Sequence, residues 1–133
     1  MKNKIIKKLW SKTKDIKRVI IAKDIKTIHD KKQFARIIEL ERDRVHRGNK
    51  QFTVVVFAIN HEINGKMNTK KIIYKISKRI RQIDQIGWYD KNHIGILLPN
   101  TNKKGAEIIK KEIIQAVGNI ENKYDIKIIS YPE

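Results

Sequence analysis

The most informative part of the sequence is Arg81-Gln-Ile-Asp84-Gln-Ile-Gly-Trp-Tyr-Asp90-Lys-Asn-His93-Ile-Gly-Ile-Leu-Leu-Pro99. Two short apolar runs flank its polar tip, which extends from Asp90 to His93. In the second run, the large aliphatic residues at positions 94, 96 and 98 alternate with Gly95 and Leu97, so the two sets point to opposite faces of a strand. The stretch therefore predicts a β-hairpin with a short polar turn.

The segments on either side of the hairpin predict a small antiparallel sheet with two helices. The segment from Gln51 to Ile59 has apolar residues at both its odd and its even positions, which is typical of a central strand buried on both faces. Isoleucines at helical spacing predict a helix over residues 69–83, after a polar loop at 60–67, and another helix over residues 102–117. A last strand is predicted at residues 125–131. The order β-α-β-β-α-β indicates an α+β fold of the ferredoxin-like type, with an antiparallel sheet and helices on one face.

Helices are also expected before the sheet. Asp30 and Gln33 form a capping box for a helix that extends to about Arg47 and ends at Gly48. Residues 2–28 have the pattern of a basic amphipathic helix, so the chain divides into an N-terminal helix at 1–29 and a domain at 30–133. This helix has two interpretations. In the first, the helix packs on the domain or pairs with a second copy or another protein. In the second, it lies on an anionic membrane with Trp10 at the interface.

The net charge of +17 is the most unusual feature of the composition. Residues 1–32 hold 12 Lys or Arg against 3 Asp, and residues 33–133 hold 19 basic against 11 acidic residues. This charge favours nucleic acid, an anionic membrane or nucleotide phosphates as partners, although a coding bias explains it equally well. The chain has no cysteine and no apolar run of membrane-spanning length. A cytoplasmic protein is expected, with peripheral attachment at the inner membrane face as the alternative.

Several separated pieces of the chain resemble one family. They are Phe34, Glu41-Arg42-Asp43-Arg44, Phe52-Thr-Val-Val-Val-Phe57, Arg81-x-x-Asp84, Ile94-Gly-Ile-Leu-Leu-Pro-Asn-Thr101 and Gly105-Ala106. Together they resemble the GGDEF domain of diguanylate cyclases over residues 30–133. They are most similar to the degenerate GGDEF-like domains found beside exopolysaccharide sugar transferases. The resemblance implies the nucleotidyl-cyclase-like form of the predicted fold.

The same resemblance implies that the chain does not synthesise cyclic di-GMP. In active members the hairpin tip reads Gly-Gly-Asp/Glu-Glu-Phe, where the glycines admit GTP and the acids bind metal and activate the 3′-hydroxyl. Here the tip aligns as Asp90-Lys91-Asn92-His93-Ile94, and Phe57-Ala58-Ile59-Asn60 stands where the family has Phe-Asp-x-Asp. Two Mg²⁺ ions need anionic oxygen ligands, so no catalytic residue, metal or cofactor is expected. The short segment 60–68 further implies that a guanine-contacting helix is missing.

Arg81-Gln-Ile-Asp84 matches one functional motif of the family, the inhibitory Arg-x-x-Asp that binds cyclic di-GMP. Five residues separate Asp84 from the tip, as in the family. The match implies that Arg81 offers a guanidinium fork to phosphate or guanine and that Asp84 accepts from a guanine amide. Lys75, Lys78 and Arg79 are candidates for further phosphate contacts. The alternative is structural, with Asp84 accepting backbone N–H bonds and fixing the turn between helix and strand.

Other groups of residues carry weaker signals. The four histidines, at positions 29, 46, 61 and 93, lack the spacing of metal ligands. Trp88-Tyr89 can stack a base, but aromatic residues on a strand more often pack in a core. RNA-recognition motifs share the predicted strand order, yet their third strand carries aromatic residues where this chain has His93-Ile-Gly-Ile-Leu-Leu98. Binding of nucleic acid is therefore expected to depend on charge alone.

Overall fold

A computed structural model describes residues 27–48, 50–59, 61–117 and 126–132, with the backbone alone described at 61–68. The elements are α1 (Lys31–Gly48), β1 (Phe52–Ala58), α2 (His61–Ser77), β2 (Gln85–Asp90), β3 (His93–Pro99), α3 (Lys103–Val117) and β4 (Ile126–Tyr131). The four strands form one antiparallel sheet in the order β2-β3-β1-β4. The predicted α+β fold is therefore confirmed. The N-terminal helix predicted at residues 2–28 falls almost entirely outside the described residues.

β1 is an inner strand of the sheet, as its apolar character predicted. Val55 pairs with Ile96 of β3 on one side and with Ile128 of β4 on the other. Six consecutive residues of β1, from Phe52 to Phe57, are buried. Since successive side chains of a strand point to opposite faces, both faces of the sheet must be covered at β1.

Two apolar clusters cover the two faces of the sheet. The first contains side chains from α2 and α3, and its fully buried members include Val55, Phe57, Ile76, Ile86, Ile94, Ile96, Leu98 and Ala106. The second contains side chains from α1, and it consists of Phe34, Val45, Phe52, Val54, Val56 and Leu97. The prediction of two helices on one face holds for α2 and α3, and α1 adds a layer on the other face.

Two helices begin at side-chain N-caps, and the first of these caps, Asp30, was predicted from the sequence. Asp30 Oδ1 accepts a hydrogen bond of 2.7 Å from the backbone amide of Gln33, three residues along α1. Asn102 Oδ1 accepts one of 2.9 Å from the amide of Gly105 in the first turn of α3. Each bond satisfies one of the amides that a helix N-terminus leaves without an internal partner.

The predicted limits of α2 were wrong at both ends. The helix begins at His61 instead of residue 69, because the polar segment 61–68 lacks the apolar periodicity on which the prediction depended. It ends at Ser77 instead of residue 83, although the isoleucine spacing continues through Ile80 and Ile83. The amide of Arg81 donates to the Asp84 carboxylate at 2.6 Å, so it does not continue the helical ladder. Ile83, which the spacing placed on the apolar stripe of the helix, is 52% exposed.

The segment before α1 pairs with the outer edge of β2. His29 donates its backbone N–H to the Ile86 carbonyl at 3.0 Å and accepts from the Trp88 amide at 2.9 Å, which makes a parallel bridge opposite Gly87. The His29 ring also bonds the Gln85 side chain at 2.8 Å. A one-residue bridge has no periodicity in the sequence, so sequence patterns could not predict it.

Candidate functional site

Arg81 and Asp84 form one compact unit in the turn between α2 and β2. Asp84 Oδ2 accepts from the backbone amide of Arg81 at 2.6 Å and from its Nε at 3.2 Å, and Oδ1 accepts from Nη2 at 2.9 Å. The Asp84 amide in turn donates to the Arg81 carbonyl at 3.0 Å. The guanidinium therefore engages the carboxylate with two nitrogens, which is the geometry of a strong charge-assisted pair.

The same guanidinium also binds the turn that follows β3. Arg81 Nη2 donates to the Pro99 carbonyl at 2.8 Å and to Thr101 Oγ1 at 2.9 Å. The Thr101 carbonyl accepts from the buried Thr53 hydroxyl of β1 at 2.7 Å. Through these bonds the Arg-x-x-Asp turn is connected to both β3 and β1. The sequence predicted the pair but not these partners, although Thr101 lies in the Leu-Leu-Pro-Asn-Thr piece that supported the family resemblance.

Exposure differs sharply between the two members of the pair. The Asp84 side chain is fully buried, whereas 47% of the Arg81 side chain is exposed. Within the part of the chain that the structure describes, Nη1 of Arg81 makes no hydrogen bond, while Nε and Nη2 are both engaged. In this conformation Asp84 orients the guanidinium, and Arg81 alone presents donors to a ligand. The arrangement agrees with the structural interpretation of Asp84 and leaves one edge of Arg81 accessible.

The three basic residues predicted as phosphate contacts lie just before this turn. Lys75 is in the last turn of α2, and Lys78 and Arg79 follow the helix end. All three are exposed. The Lys78 ammonium lies 4.7 Å from the centre of the Tyr74 ring, which places its charge over the outer side of α2. Within the described residues, none of the three joins the hydrogen-bond network of Arg81.

The hairpin tip at Asp90-Lys91-Asn92-His93 is closed by its own first residue. Asp90 Oδ1 accepts from the Asn92 amide at 2.8 Å and from His93 Nδ1 at 2.7 Å. Partial burial raises the pKa of the Asp90 carboxyl, but these bonds outweigh it, so that its pKa lies below the ordinary value. The Asn92 carbonyl accepts from the Ile59 amide at 2.7 Å, which fastens the tip to the end of β1. The only carboxylate of the tip is thus already engaged by hydrogen-bond donors.

The two aromatic residues of β2 differ in their surroundings. Trp88 packs against the apolar cluster under α2 and α3, in agreement with the packing interpretation. Tyr89 is on the α1 face and 40% exposed. An RNA-recognition motif binds bases on the open face of its four-stranded sheet. Here α1 and its cluster cover the face opposite α2 and α3, so that this mode of RNA binding does not fit.

Comparison with known proteins supports the fold through solved structures alone. No protein-family profile and no curated protein matches the chain. A DGC protein from Thermotoga maritima matches with a TM-score of 0.65 and 21% identity, over 83% of this chain and 86% of its own. The active GGEEF domain of a diguanylate cyclase from Vibrio cholerae matches with a TM-score of 0.63 and 14% identity, over 78% and 74%.

A third match comes from a structure solved with a nucleotide. The GGDEF domain of DgcB from Caulobacter crescentus, in complex with c-di-GMP, has a TM-score of 0.56 and 14% identity, over 80% of this chain and 72% of its own. This chain has the fold of a GGDEF domain.

The resemblance to GGDEF domains assigns catalytic positions to the hairpin tip and to the end of β1. The resemblance places the metal-binding acids at the hairpin tip and at the end of β1, where this chain has Asn92, His93 and Ala58. Ile59, which follows β1, is buried in the apolar cluster. Among the residues that the structure describes, no three His, Cys, Asp or Glu side chains lie together as metal ligands. None of the described helices contains an apolar stretch of the length that a membrane span requires.

Proposed function

We propose that this chain is a GGDEF-like regulatory domain without cyclase activity. The observation that carries the proposal is the hairpin tip, where Asp90 is the only acid and its Oδ1 accepts from Asn92 and His93. Phosphoryl transfer to a 3′-hydroxyl depends on metal ions that neutralise the developing charge, and Mg²⁺ needs anionic oxygen ligands. A single hydrogen-bonded carboxylate does not supply them.

A turnover assay tests this part of the proposal. The full chain is incubated with GTP and Mg²⁺ or Mn²⁺, and cyclic di-GMP is measured by mass spectrometry beside an active diguanylate cyclase as positive control. No product above the protein-free background is expected. Product that disappears in an Asp90→Asn variant would overturn the proposal.

The ligand that we propose is cyclic di-GMP or another nucleotide, bound at the exposed edge of Arg81. Asp84 is buried and holds the guanidinium in place, so its role is to orient Arg81. Arg81 Nη1 supplies two N–H donors for a phosphate or a guanine edge. Lys75, Lys78 and Arg79 raise the local positive potential.

Calorimetric titration with cyclic di-GMP at near-physiological salt tests the ligand. The variant Arg81→Lys keeps the charge but loses the planar fork, and Arg44→Lys makes the same change on α1 as a matched control. Binding is expected in the wild type and in Arg44→Lys, and it is expected to be at least about tenfold weaker in Arg81→Lys, since a charged hydrogen bond contributes about 1.5–3 kcal/mol. Absence of heat in the wild type, or equal affinity in Arg81→Lys, would refute the ligand.

A second candidate function depends on the charge of the chain. Its net charge of +17 favours a nucleic acid or an anionic membrane surface, with the predicted N-terminal helix as the main contact. Deletion of residues 1–26 is expected to abolish binding to anionic vesicles or to single-stranded RNA in this case. The deletion also tests the predicted pairing through the N-terminal helix. Sedimentation of the full chain and of the deletion variant compares their oligomeric states. Unchanged polyanion binding would contradict the second candidate.

A further inference from the structure

A cleft of about 560 Å³ lies at the end of the sheet remote from the hairpin tip. Residues from three elements surround it: Arg42, Val45 and His46 of α1, Lys50 and Phe52 at the start of β1, and Tyr131 and Pro132 at the end of β4. It lies on the α1 side of the sheet and has no residue in common with the Arg81 network or the hairpin tip. Its volume is within the range of pockets that hold small organic ligands.

The floor of this cleft is apolar and rigid. Phe52 is fully buried and stacks on the Tyr131 ring, with centroids 4.8 Å apart and an angle of 18° between the planes. The Arg42 guanidinium lies 4.5 Å from the centre of the same ring and donates to the Tyr131 hydroxyl at 2.5 Å. Val45 is almost fully buried beside them. These contacts hold the aromatic floor in one arrangement, so that it is formed before any ligand arrives.

Among the residues that the structure describes, the rim of the cleft is cationic and carries no carboxylate. His46 and Lys50 are exposed, and neither makes an ion pair within the described residues. By contrast, Arg44 pairs with Glu41 and Lys110 pairs with Glu107. None of the seven lining residues is acidic. The unneutralised charge of Lys50 therefore faces an apolar surface, a combination that fits a ligand with an anionic head and an apolar body.

We propose that this cleft binds a small organic anion. Its phosphate or carboxylate group contacts Lys50 and His46, and its apolar part lies against Tyr131 and Pro132. The chain's own first 26 residues are a poor occupant, because they carry ten Lys or Arg against two Asp. Charge complementarity thus favours an anionic ligand over this segment. The proposal does not depend on nucleotide binding at Arg81.

Titration of the ¹⁵N-labelled full chain with phenyl phosphate, phenylacetate and the neutral 2-phenylethanol tests the proposal by NMR. Saturable shifts of the His46, Phe52 and Tyr131 amides are expected with at least one of the two anions. The anion with the higher affinity identifies the head group. The neutral alcohol is expected to bind about tenfold more weakly than that anion, because it lacks the charged hydrogen bonds. A parallel titration with inorganic phosphate shows whether the anionic group by itself accounts for the binding or whether the apolar part contributes.

Matched variants complete the test. Lys50→Gln is expected to weaken binding of the anion about tenfold, whereas Lys111→Gln removes the same charge from the exposed side of α3 and is expected to leave it unchanged. Both side chains are exposed, so both variants keep the dispersed spectrum of the wild type. Shifts that are absent at millimolar probe, equally strong with inorganic phosphate, or equally reduced by both variants would overturn the proposal. An Arg81→Lys variant that binds the anion normally separates this site from the one proposed for a nucleotide.

Discussion

The ring of Phe34 occupies the place that a side chain at Gly87 would need. A Cβ atom at residue 87 would lie 2.2 Å from Phe34 Cδ1, and one at Gly95 would lie 2.6 Å from Cε2. Gly87 and Gly95 are directly paired across β2 and β3, so together they make a flat area on the sheet. Phe34, in the first turn of α1, packs on this area and is fully buried. The contact fixes where α1 crosses the hairpin.

Gly87→Ala is therefore expected to destabilise the domain. The added methyl group must displace the Phe34 ring from a close-packed layer, and overpacking of this kind costs about 1–3 kcal/mol. Urea denaturation followed by circular dichroism measures the free energy of unfolding. Gly48→Ala is the matched control, because a Cβ there would meet nothing closer than 3.6 Å.

The Phe34→Ala background provides a direct check of the cause. Removal of the ring leaves room for a methyl group at residue 87, so the cost of Gly87→Ala is expected to fall in this background. An equal cost in both backgrounds would show that the Phe34 contact is not what excludes a side chain at residue 87.

Arg81→Ala is expected to reduce stability more than Arg44→Ala. Both arginines pair with an acid three residues away and are similarly exposed, at 47% and 40%, but Asp84 is fully buried whereas Glu41 is 14% exposed. Loss of Arg81 leaves a buried carboxylate without its cation, and we expect a cost of about 2–3 kcal/mol. Loss of Arg44 removes a surface pair that contributes about 0–1 kcal/mol. Denaturant unfolding gives the free energy of unfolding of each variant. Equal losses in the two variants would contradict the structural role of Asp84.

Sequence patterns predicted local features well where the signal was periodic. The alternation from Ile94 to Leu98 located β3, and the apolar run from Phe52 to Phe57 located the inner strand β1. The same method failed at the end of α2, because Ile80 and Ile83 continue the helical spacing after the chain has turned away. There the Asp84 carboxylate accepts a hydrogen bond from the Arg81 amide, and hydrophobic periodicity does not reveal a bond of this kind.

Contacts between distant parts of the chain were beyond sequence reasoning. The pair Arg81 and Asp84 was predicted from a motif, but the bond from Arg81 to Pro99 needs the two turns to meet in space. The Phe34 ring over Gly87 and Gly95 has no local signal either, since glycines in a strand indicate only a bulge or a close approach. The cleft beside Lys50 requires α1, β1 and β4 to converge.

Acid is expected to weaken the hairpin tip through Asp90. Its pKa is lowered below the ordinary value of 3.8 by its bonds with His93 and Asn92, which outweigh a raising effect of partial burial. A carboxyl whose pKa is lower in the folded state stabilises that state above the ordinary pKa, and the contribution is lost as the pH falls through the folded value. NMR titration of the Asp90 side chain gives this pKa directly. The pKa of Asp90 is expected to rise in His93→Gln and to remain unchanged in Lys91→Gln. An unchanged pKa in His93→Gln would contradict the assigned cause.

Thr53→Val is expected to destabilise the domain more than Thr53→Ser. The Thr53 hydroxyl is fully buried and donates to the Thr101 carbonyl at 2.7 Å, and it lies 3.3 Å from the Ser130 hydroxyl of β4. Valine keeps the shape but leaves the Thr101 carbonyl without this donor, at a cost of about 1–3 kcal/mol. Serine keeps the donor and loses one methyl group, which costs about 1 kcal/mol. Thermal unfolding ranks the two variants, and a valine variant as stable as the wild type would show that the bond between β1 and the turn after β3 contributes nothing to the fold.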